Sequence, residues 1–160
     1  AALCALPWPE GYPDMSNLPG SVLFLCTRNA IRSPLAEGLM KQELLQANRM
    51  GVYVASAGLY PTDIDGFVVS VLGEQDVDMH RHQARPFDAH SDGGYDLIIA
   101  LSKQAEGEAL DAMRAQATDV ESWDVLDPSL VDGTRDMKLD AYRETRDQIR
   151  AKIRERFDFS

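Results

Sequence analysis

The sequence contains little cysteine and less positive than negative charge. Its 160 residues include two cysteines, Cys4 and Cys26, which are too few for a disulfide framework, so a reduced, cytoplasmic setting is expected. Lysine and arginine total 16 against 26 aspartates and glutamates, which gives a formal net charge of −10. A chain this acidic is not expected to bind the phosphate backbone of nucleic acids or an anionic lipid surface. No apolar run approaches the roughly 20 residues of a membrane-spanning helix. Neither a nucleic acid nor a membrane is therefore expected as a partner.

The residues that are present suit one globular domain preceded by an arm. Apolar residues make up 44% of the chain and charged residues 26%, which argues against a disordered or fibrous protein. Four of the eight prolines fall within residues 1–20, so we expect a proline-rich, extended N-terminal arm there. Residues 21–160 show no internal repeat and no sign of a second domain, and we expect them to form a single domain.

Short apolar runs alternate with helix-like segments along this domain. Strands are predicted at 22–25, 52–55, 96–101 and 120–125. Helices are predicted at 33–48, 67–72, 103–116 and 138–157. This alternation predicts a parallel sheet covered on both faces by helices, with ligands bound at the carboxyl ends of the strands. The loop after the first strand is therefore the first candidate site.

This loop, at positions 26–34, reads CTRNAIRSP. A loop of this length between a strand and a helix can turn its backbone N–H groups inward and form a cradle for a tetrahedral anion. Arg32 adds a planar fork that matches two oxygens of such an anion. Cys26 lies at the floor of the cradle, where the amides and the helix N-terminus favour its thiolate, a nucleophile. Ser33 can donate a hydrogen bond to the sulfur, and Asn29 tolerates the left-handed backbone that a tight loop needs.

A cysteine after a buried strand is more often a small core residue than a nucleophile. Here the spacing to the arginine and serine, and the helix that begins behind them, favour the catalytic interpretation.

The stretch VLFLCTRNAIRSPLAEGL resembles the phosphate loop of the low-molecular-weight protein tyrosine phosphatases and the related arsenate reductases. The resemblance extends over residues 21–157. It includes the segments SAG at 56–58, HQAR at 82–85, DLIIAL at 96–101 and WDVLDP at 123–128. It implies a single three-layer α/β domain of the flavodoxin-like type, with a four-stranded parallel sheet in the order 2-1-3-4.

The resemblance also implies a role for each site residue. Cys26 would be the nucleophile, Arg32 would stabilise the transferred group, and Asp127 would be the general acid. The remaining residues expected to bind phosphate or substrate are Thr27, Arg28, Asn29, Ala30, Ile31 and Ser33. Ser56 and His82 would hold the Asn29 side chain and so the shape of the loop. Neither a cofactor nor a metal is expected, because the amides and Arg32 supply the positive field; the spacing of the three histidines also matches no set of metal ligands.

Four residues, at three places, depart from the family pattern. Arg28 stands where a glycine is usual, and it could recognise an acidic substrate. Ile31 stands where many members have a second cysteine, so a protective disulfide with Cys26 cannot form there. Ser129-Leu130 stands where an aromatic pair usually walls the substrate slot. Tyr60, from the neighbouring loop, is the candidate for an aromatic wall in its place.

These observations predict a phosphomonoesterase that acts on protein phosphotyrosine or a small aryl phosphate through a phosphocysteine intermediate. Its partners would be a phosphorylated protein or a small phosphate ester, with inorganic phosphate as product. Two alternatives stay open at this point: an arsenate reductase that uses an external thiol, and a regulatory module that binds phosphate without turnover. The sequence gives no indication of the oligomeric state.

Overall fold

The computed structural model describes residues 18–160. Within them, four strands alternate with four helices. The strands are β1 (Ser21–Cys26), β2 (Tyr53–Gly58), β3 (Leu97–Ala100) and β4 (Asp119–Ser122). The helices are α1 (Arg32–Gln46), α2 (Gly66–Gly73), α3 (Lys103–Ala112) and α4 (Arg135–Arg156). Short 3-10 turns lie at Asp92–Gly94 and Pro128–Leu130.

The four strands form one parallel sheet in the order β2-β1-β3-β4. The expected fold class, a three-layer α/β domain with strand order 2-1-3-4, is therefore confirmed. β1 lies between β2 and β3, and helices pack against both faces of the sheet, so its apolar residues from Val22 to Leu25 are fully buried. The carboxyl end of this central strand places Cys26 at the middle of the sheet edge where the loops begin.

Alternation along β1 assigns its side chains to two separate cores. Phe24 and Cys26 belong to the larger core, which α1, α2 and α4 cover. Leu23 and Leu25 belong to the smaller core, which α3 covers. Cys26 therefore lies on the α1 side of the sheet, directly below the first turn of that helix.

Several predicted boundaries were wrong by a few residues, and capping explains one of them. α4 begins at Arg135 rather than 138, because Thr134 Oγ1 accepts a hydrogen bond from the Met137 N–H at 3.2 Å and starts the helix there. α3 begins at Lys103 as expected, with Ser102 as its N-cap, but it ends at Ala112 rather than 116. β2 extends to Gly58, which brings its end beside the loop after β1.

Most of the predicted N-terminal arm, residues 1–17, lies outside the described residues. Leu18, the first described residue, is buried in the larger core. None of the helices within residues 18–160 is long and apolar enough to cross a membrane.

Candidate active site

The loop between β1 and α1 wraps around the Cys26 sulfur. The side chain of Cys26 is almost fully buried, and its Sγ accepts a hydrogen bond from the Asn29 N–H at 3.2 Å. Ser33 Oγ lies 2.9 Å from the same sulfur. Both groups are placed to donate a hydrogen bond to the sulfur when it acts as a nucleophile.

The carbonyl groups of the loop are turned away from the sulfur by the segment that follows β2. Backbone N–H groups of that segment donate to four loop carbonyls: Leu59 to Cys26 at 3.2 Å, Tyr60 to Thr27 at 2.8 Å, Thr62 to Arg28 at 2.9 Å and Asp65 to Ala30 at 3.0 Å. In a trans peptide the C=O and the following N–H point in opposite directions. Because the carbonyls face residues 59–65, the N–H groups that follow them face the other side, where an anion would sit.

Gly58 permits this close approach of β2 to the loop. A Cβ at this position would lie 2.6 Å from the Asn29 backbone nitrogen and 2.7 Å from the Arg28 carbonyl carbon. Contacts this short with backbone atoms cannot be relieved by a side-chain movement. The glycine at the end of β2 is therefore a requirement of the loop's path.

Asn29 holds the loop from inside. Its backbone is left-handed, with a φ of 54°, and its side chain is completely buried. Its Nδ2 donates to Ser33 Oγ at 2.8 Å and to Ser56 Oγ at 2.9 Å. Its Oδ1 accepts from the Arg85 backbone N–H at 3.1 Å and lies 3.3 Å from His82 Nε2. The structure thus brings both Ser56 and His82 to Asn29.

Behind Asn29 lies a buried carboxylate that the sequence analysis missed. Glu37, on α1, accepts a hydrogen bond from Ser56 Oγ at 2.6 Å and pairs with Lys41 Nζ at 2.8 Å. His82 Nδ1 is 4.0 Å from the same carboxylate. Burial lowers the pKa of His82 below its ordinary value, against the opposing effect of Glu37, so the ring is neutral at neutral pH. A neutral ring protonated on Nε2 can donate to Asn29 Oδ1.

A cavity of about 560 Å³ opens above the sulfur. The residues that line it are Cys26, Thr27, Arg28, Ala30, Ile31, Arg32, Thr62, Asp63, Asp65, Asp127, Ser129 and Leu130. Arg32 Nη1 donates to the Val125 carbonyl at 3.3 Å, which holds the guanidinium at the edge of the cavity. Arg32 Nη2 lies 4.0 Å from Asp127 Oδ2. The three residues expected to be catalytic therefore share one cavity.

The 3-10 turn at Pro128–Leu130 holds the Asp127 side chain in place. Asp127 Oδ1 accepts hydrogen bonds from the Ser129 N–H at 2.9 Å and from Ser129 Oγ at 2.7 Å. Ser129 is a second residue that sequence reasoning missed, since it was noted there only as the loss of an aromatic residue.

Three of the residues expected to bind phosphate or substrate do not line the cavity. Asn29 and Ser33 are fully buried and support the loop from below rather than line the cavity. Tyr60 is 62% exposed and does not line the cavity, although its backbone N–H holds the loop. Leu130, which is 79% exposed, is the large apolar residue at the mouth. The proposed aromatic wall at Tyr60 stays a prediction.

Among residues 18–160, no three histidine, cysteine, aspartate or glutamate side chains lie close enough together to hold a metal ion.

The parallel sheet, the phosphate-type loop and the buried thiol define an enzyme class that works through a cysteine on a bound oxyanion. The sequence model of the family "Low molecular weight phosphotyrosine protein phosphatase" matches residues 21–158. The chain belongs to this family of cysteine-dependent phosphatases, as the resemblance implied.

Individual relatives carry two kinds of activity in their names. The chain is 30% identical to an arsenate reductase of Halalkalibacterium halodurans over 135 residues, 83% of this chain and 91% of that protein. It is 32% identical to the low molecular weight protein-tyrosine-phosphatase Etp of Escherichia coli over 87 residues, 52% of this chain and 55% of that one. Among solved structures it is similar to a YwlE mutant from Bacillus subtilis, with a TM-score of 0.72 and 25% identity, covering 84% of this chain and 94% of that chain.

Proposed function

We propose that this member of the family hydrolyses phosphate monoesters, with protein phosphotyrosine or a small aryl phosphate as substrate. The observation that supports the proposal is the arrangement of one cavity. The buried thiol of Cys26 lies below a loop whose carbonyl groups are hydrogen-bonded on the side away from the sulfur. The Arg32 guanidinium and the Asp127 carboxyl group, 4.0 Å apart, lie at the edge of the same cavity. This arrangement supplies a nucleophile, an anion cradle and a proton donor at one place.

In the first half of the reaction, the Cys26 thiolate attacks phosphorus and the bond from phosphorus to the leaving oxygen breaks. The loop N–H groups from Thr27 to Arg32, and the Arg32 guanidinium, bind the three equatorial oxygens as their charge redistributes. Asp127 gives a proton to the leaving oxygen, so that an alcohol or a phenol departs rather than an anion.

In the second half, the phosphocysteine is hydrolysed by water. Asp127, now a carboxylate, takes a proton from the water as its oxygen bonds to phosphorus. The bond between sulfur and phosphorus breaks and the thiolate returns, stabilised by Ser33 Oγ and the Asn29 N–H. Inorganic phosphate is the product. Because the cradle already carries the required positive field, the proposal needs neither a metal nor a cofactor, and a thiol nucleophile suits the reduced cytoplasm.

The cavity mouth supports a preference for aryl phosphates. Leu130 offers an exposed apolar surface beside Asp127, where the ring of a phenolic leaving group can pack. In the position of the family's aromatic pair, this leucine gives a looser wall than an aromatic side chain would. A broad range of aryl esters is therefore proposed, rather than a strict preference for tyrosine.

Arsenate reduction is the second candidate, since several relatives carry that name. Relay of electrons within the chain needs further cysteines after the nucleophile, and none follows Cys26. An arsenate reductase of this sequence would therefore have to use an external thiol.

The test assays the native chain for both candidate activities, hydrolysis of phosphate esters and reduction of arsenate. We expect turnover of phosphotyrosine peptides and of 4-nitrophenyl phosphate, with competitive inhibition by vanadate, because an oxyanion that reaches five-coordination resembles the transition state. Arsenate with glutathione as external thiol is the second assay. Thiol consumption without ester hydrolysis would replace the proposal by the reductase. Binding of phosphate with neither activity would favour a regulatory module.

Arg28 is expected to select among phosphatase substrates. It is exposed at the cavity, and it has no ion-pair partner among residues 18–160. Its carbonyl is fixed by the Thr62 N–H, which anchors the start of the side chain. Replacing Arg28→Gln should reduce the preference for a phosphotyrosine peptide flanked by glutamates over one flanked by glutamines by about 2-fold to 5-fold, as expected for one partly exposed charge pair.

The measurement is the ratio of kcat/KM for the two peptides at low and at high salt. Arg114→Gln is the matched control, because Arg114 is 80% exposed and pairs with Asp111 on the last turn of α3. An unchanged ratio in Arg28→Gln would show that this arginine does not read the charge of the substrate.

A further inference from the structure

Ser129 makes a contact that neither the sequence pattern nor the family resemblance anticipates. Its hydroxyl donates to Asp127 Oδ1 at 2.7 Å, and its backbone N–H donates to the same oxygen at 2.9 Å. Asp127 Oδ2 lies on the other side of the carboxyl group, 4.0 Å from Arg32 Nη2. The two oxygens of this carboxyl group therefore have different surroundings.

We propose that Ser129 is a positioning residue that makes Oδ2 of Asp127 the oxygen that carries the catalytic proton. The proposal rests on the phosphatase function proposed above. An oxygen that already accepts two hydrogen bonds is a poor place for a proton, so the proton of the acid form resides on the other oxygen. Because Arg32 would hold the phosphoryl group, Oδ2 is the oxygen on the side of the bond that breaks.

The carboxyl group of an aspartate rotates easily about its terminal torsion, so the Ser129 hydroxyl can fix the orientation of the Asp127 carboxyl group. The terminal torsion has broad, roughly two-fold preferences, so a carboxyl group without a fixed partner exchanges its two oxygens easily. The Asp127 side chain is 28% exposed, which leaves room for that rotation. With the Ser129 backbone N–H alone, Asp127 Oδ1 would accept one hydrogen bond. With the Ser129 hydroxyl it accepts two, so the orientation of the carboxyl group is better defined.

The proton balance follows from this orientation. As the bond between Cys26 Sγ and phosphorus forms and the ester bond breaks, the leaving oxygen keeps the bonding electron pair and takes the proton from Oδ2. When water later attacks phosphorus, Oδ2 takes the proton back and the sulfur leaves with its electron pair. Both transfers use the same oxygen, so a misplaced carboxyl group slows both half-reactions.

The test compares two esters whose need for the proton differs. With Ser129→Ala we expect kcat/KM for phenyl phosphate to fall about 10-fold, because a poor leaving group depends on the acid. For 4-nitrophenyl phosphate the fall should be about 2-fold or less, since this leaving group departs readily as an anion. Ser129→Thr, which keeps the hydroxyl, should restore most of the phenyl phosphate activity. The inhibition constant for inorganic phosphate should stay unchanged, because the cradle is intact.

Ser70→Ala is the matched control, since Ser70 is an exposed serine on α2, away from the cavity. An equal fall for both esters, or no fall for either, would overturn the positioning role. If the native chain hydrolyses neither ester, the proposed function fails and this inference fails with it. If the native chain is active and Asp127→Asn is slow, but Ser129→Ala shows no difference between the esters, only the positioning role fails.

Discussion

Replacing Cys26→Ser is expected to reduce ester hydrolysis by about 10⁴-fold or more, the scale seen when an enzyme loses its nucleophile. A serine hydroxyl is not ionised at neutral pH and is a much weaker nucleophile than a thiolate, so the attack on phosphorus is greatly slowed. The measurement is the initial rate with 4-nitrophenyl phosphate at saturating substrate. The prediction would be contradicted if Cys26→Ser retained several per cent of native activity, because the reaction would then use another nucleophile.

The same variant should still bind oxyanions, which separates loss of chemistry from loss of structure. The loop amides and Arg32 do not depend on the sulfur, and Ser33 and Asn29 keep a polar partner in the new hydroxyl. Phosphate should therefore bind to Cys26→Ser about as well as to the native chain in a calorimetric titration. A variant that neither hydrolyses the ester nor binds phosphate would indicate a collapsed loop.

Replacing Asp127→Asn is expected to lower kcat/KM for phenyl phosphate by about 10²-fold to 10³-fold, the usual contribution of a general acid. The amide keeps an oxygen that can accept from the Ser129 N–H and hydroxyl, so the turn at Pro128–Leu130 should be preserved. It has no proton that it can give up to a leaving oxygen. The effect should be smaller with 4-nitrophenyl phosphate, which is the signature of acid catalysis.

Asp124→Asn is the matched control for this variant. Asp124 lies three residues earlier in the same loop and is exposed, but it does not line the cavity with Cys26. Removing its charge should leave both esters within about 2-fold of native, since surface charges at this distance act weakly. An equal loss of kcat/KM in Asp124→Asn and Asp127→Asn would mean that the negative charge of the loop, and not proton transfer from Asp127, accounts for the loss of activity.

The sequence predicts those parts of the site that are close together along the chain. Cys26, Asn29, Arg32 and Ser33 lie within eight residues, so one strand, one loop and one helix start suffice to place them. The pattern of apolar runs also predicts the sheet, because β3 is short and apolar throughout and β1 is apolar after Ser21. Strand and helix types were right, and the errors lie at the ends, where caps such as Thr134 decide.

The parts that the sequence leaves open depend on residues far apart. Glu37 looks like one more polar position on α1, and only the arrival of Ser56 and His82 from other elements shows that it is buried and paired. Ser129 looks like a missing aromatic residue until the turn folds its hydroxyl onto Asp127. The placement of Asp127 beside Arg32 came from the family resemblance, since no periodicity links positions 95 residues apart.

The four backbone hydrogen bonds between residues 59–65 and the loop also bear on how the enzyme ends each cycle. They set the direction of the loop peptides before any ligand arrives, so little reorganisation energy is lost when an anion enters. A receptor shaped in advance for a tetrahedral oxyanion receives free phosphate as readily as it receives the ester. We therefore expect the released product to inhibit the enzyme, so that its rate would fall as the ambient phosphate level rises.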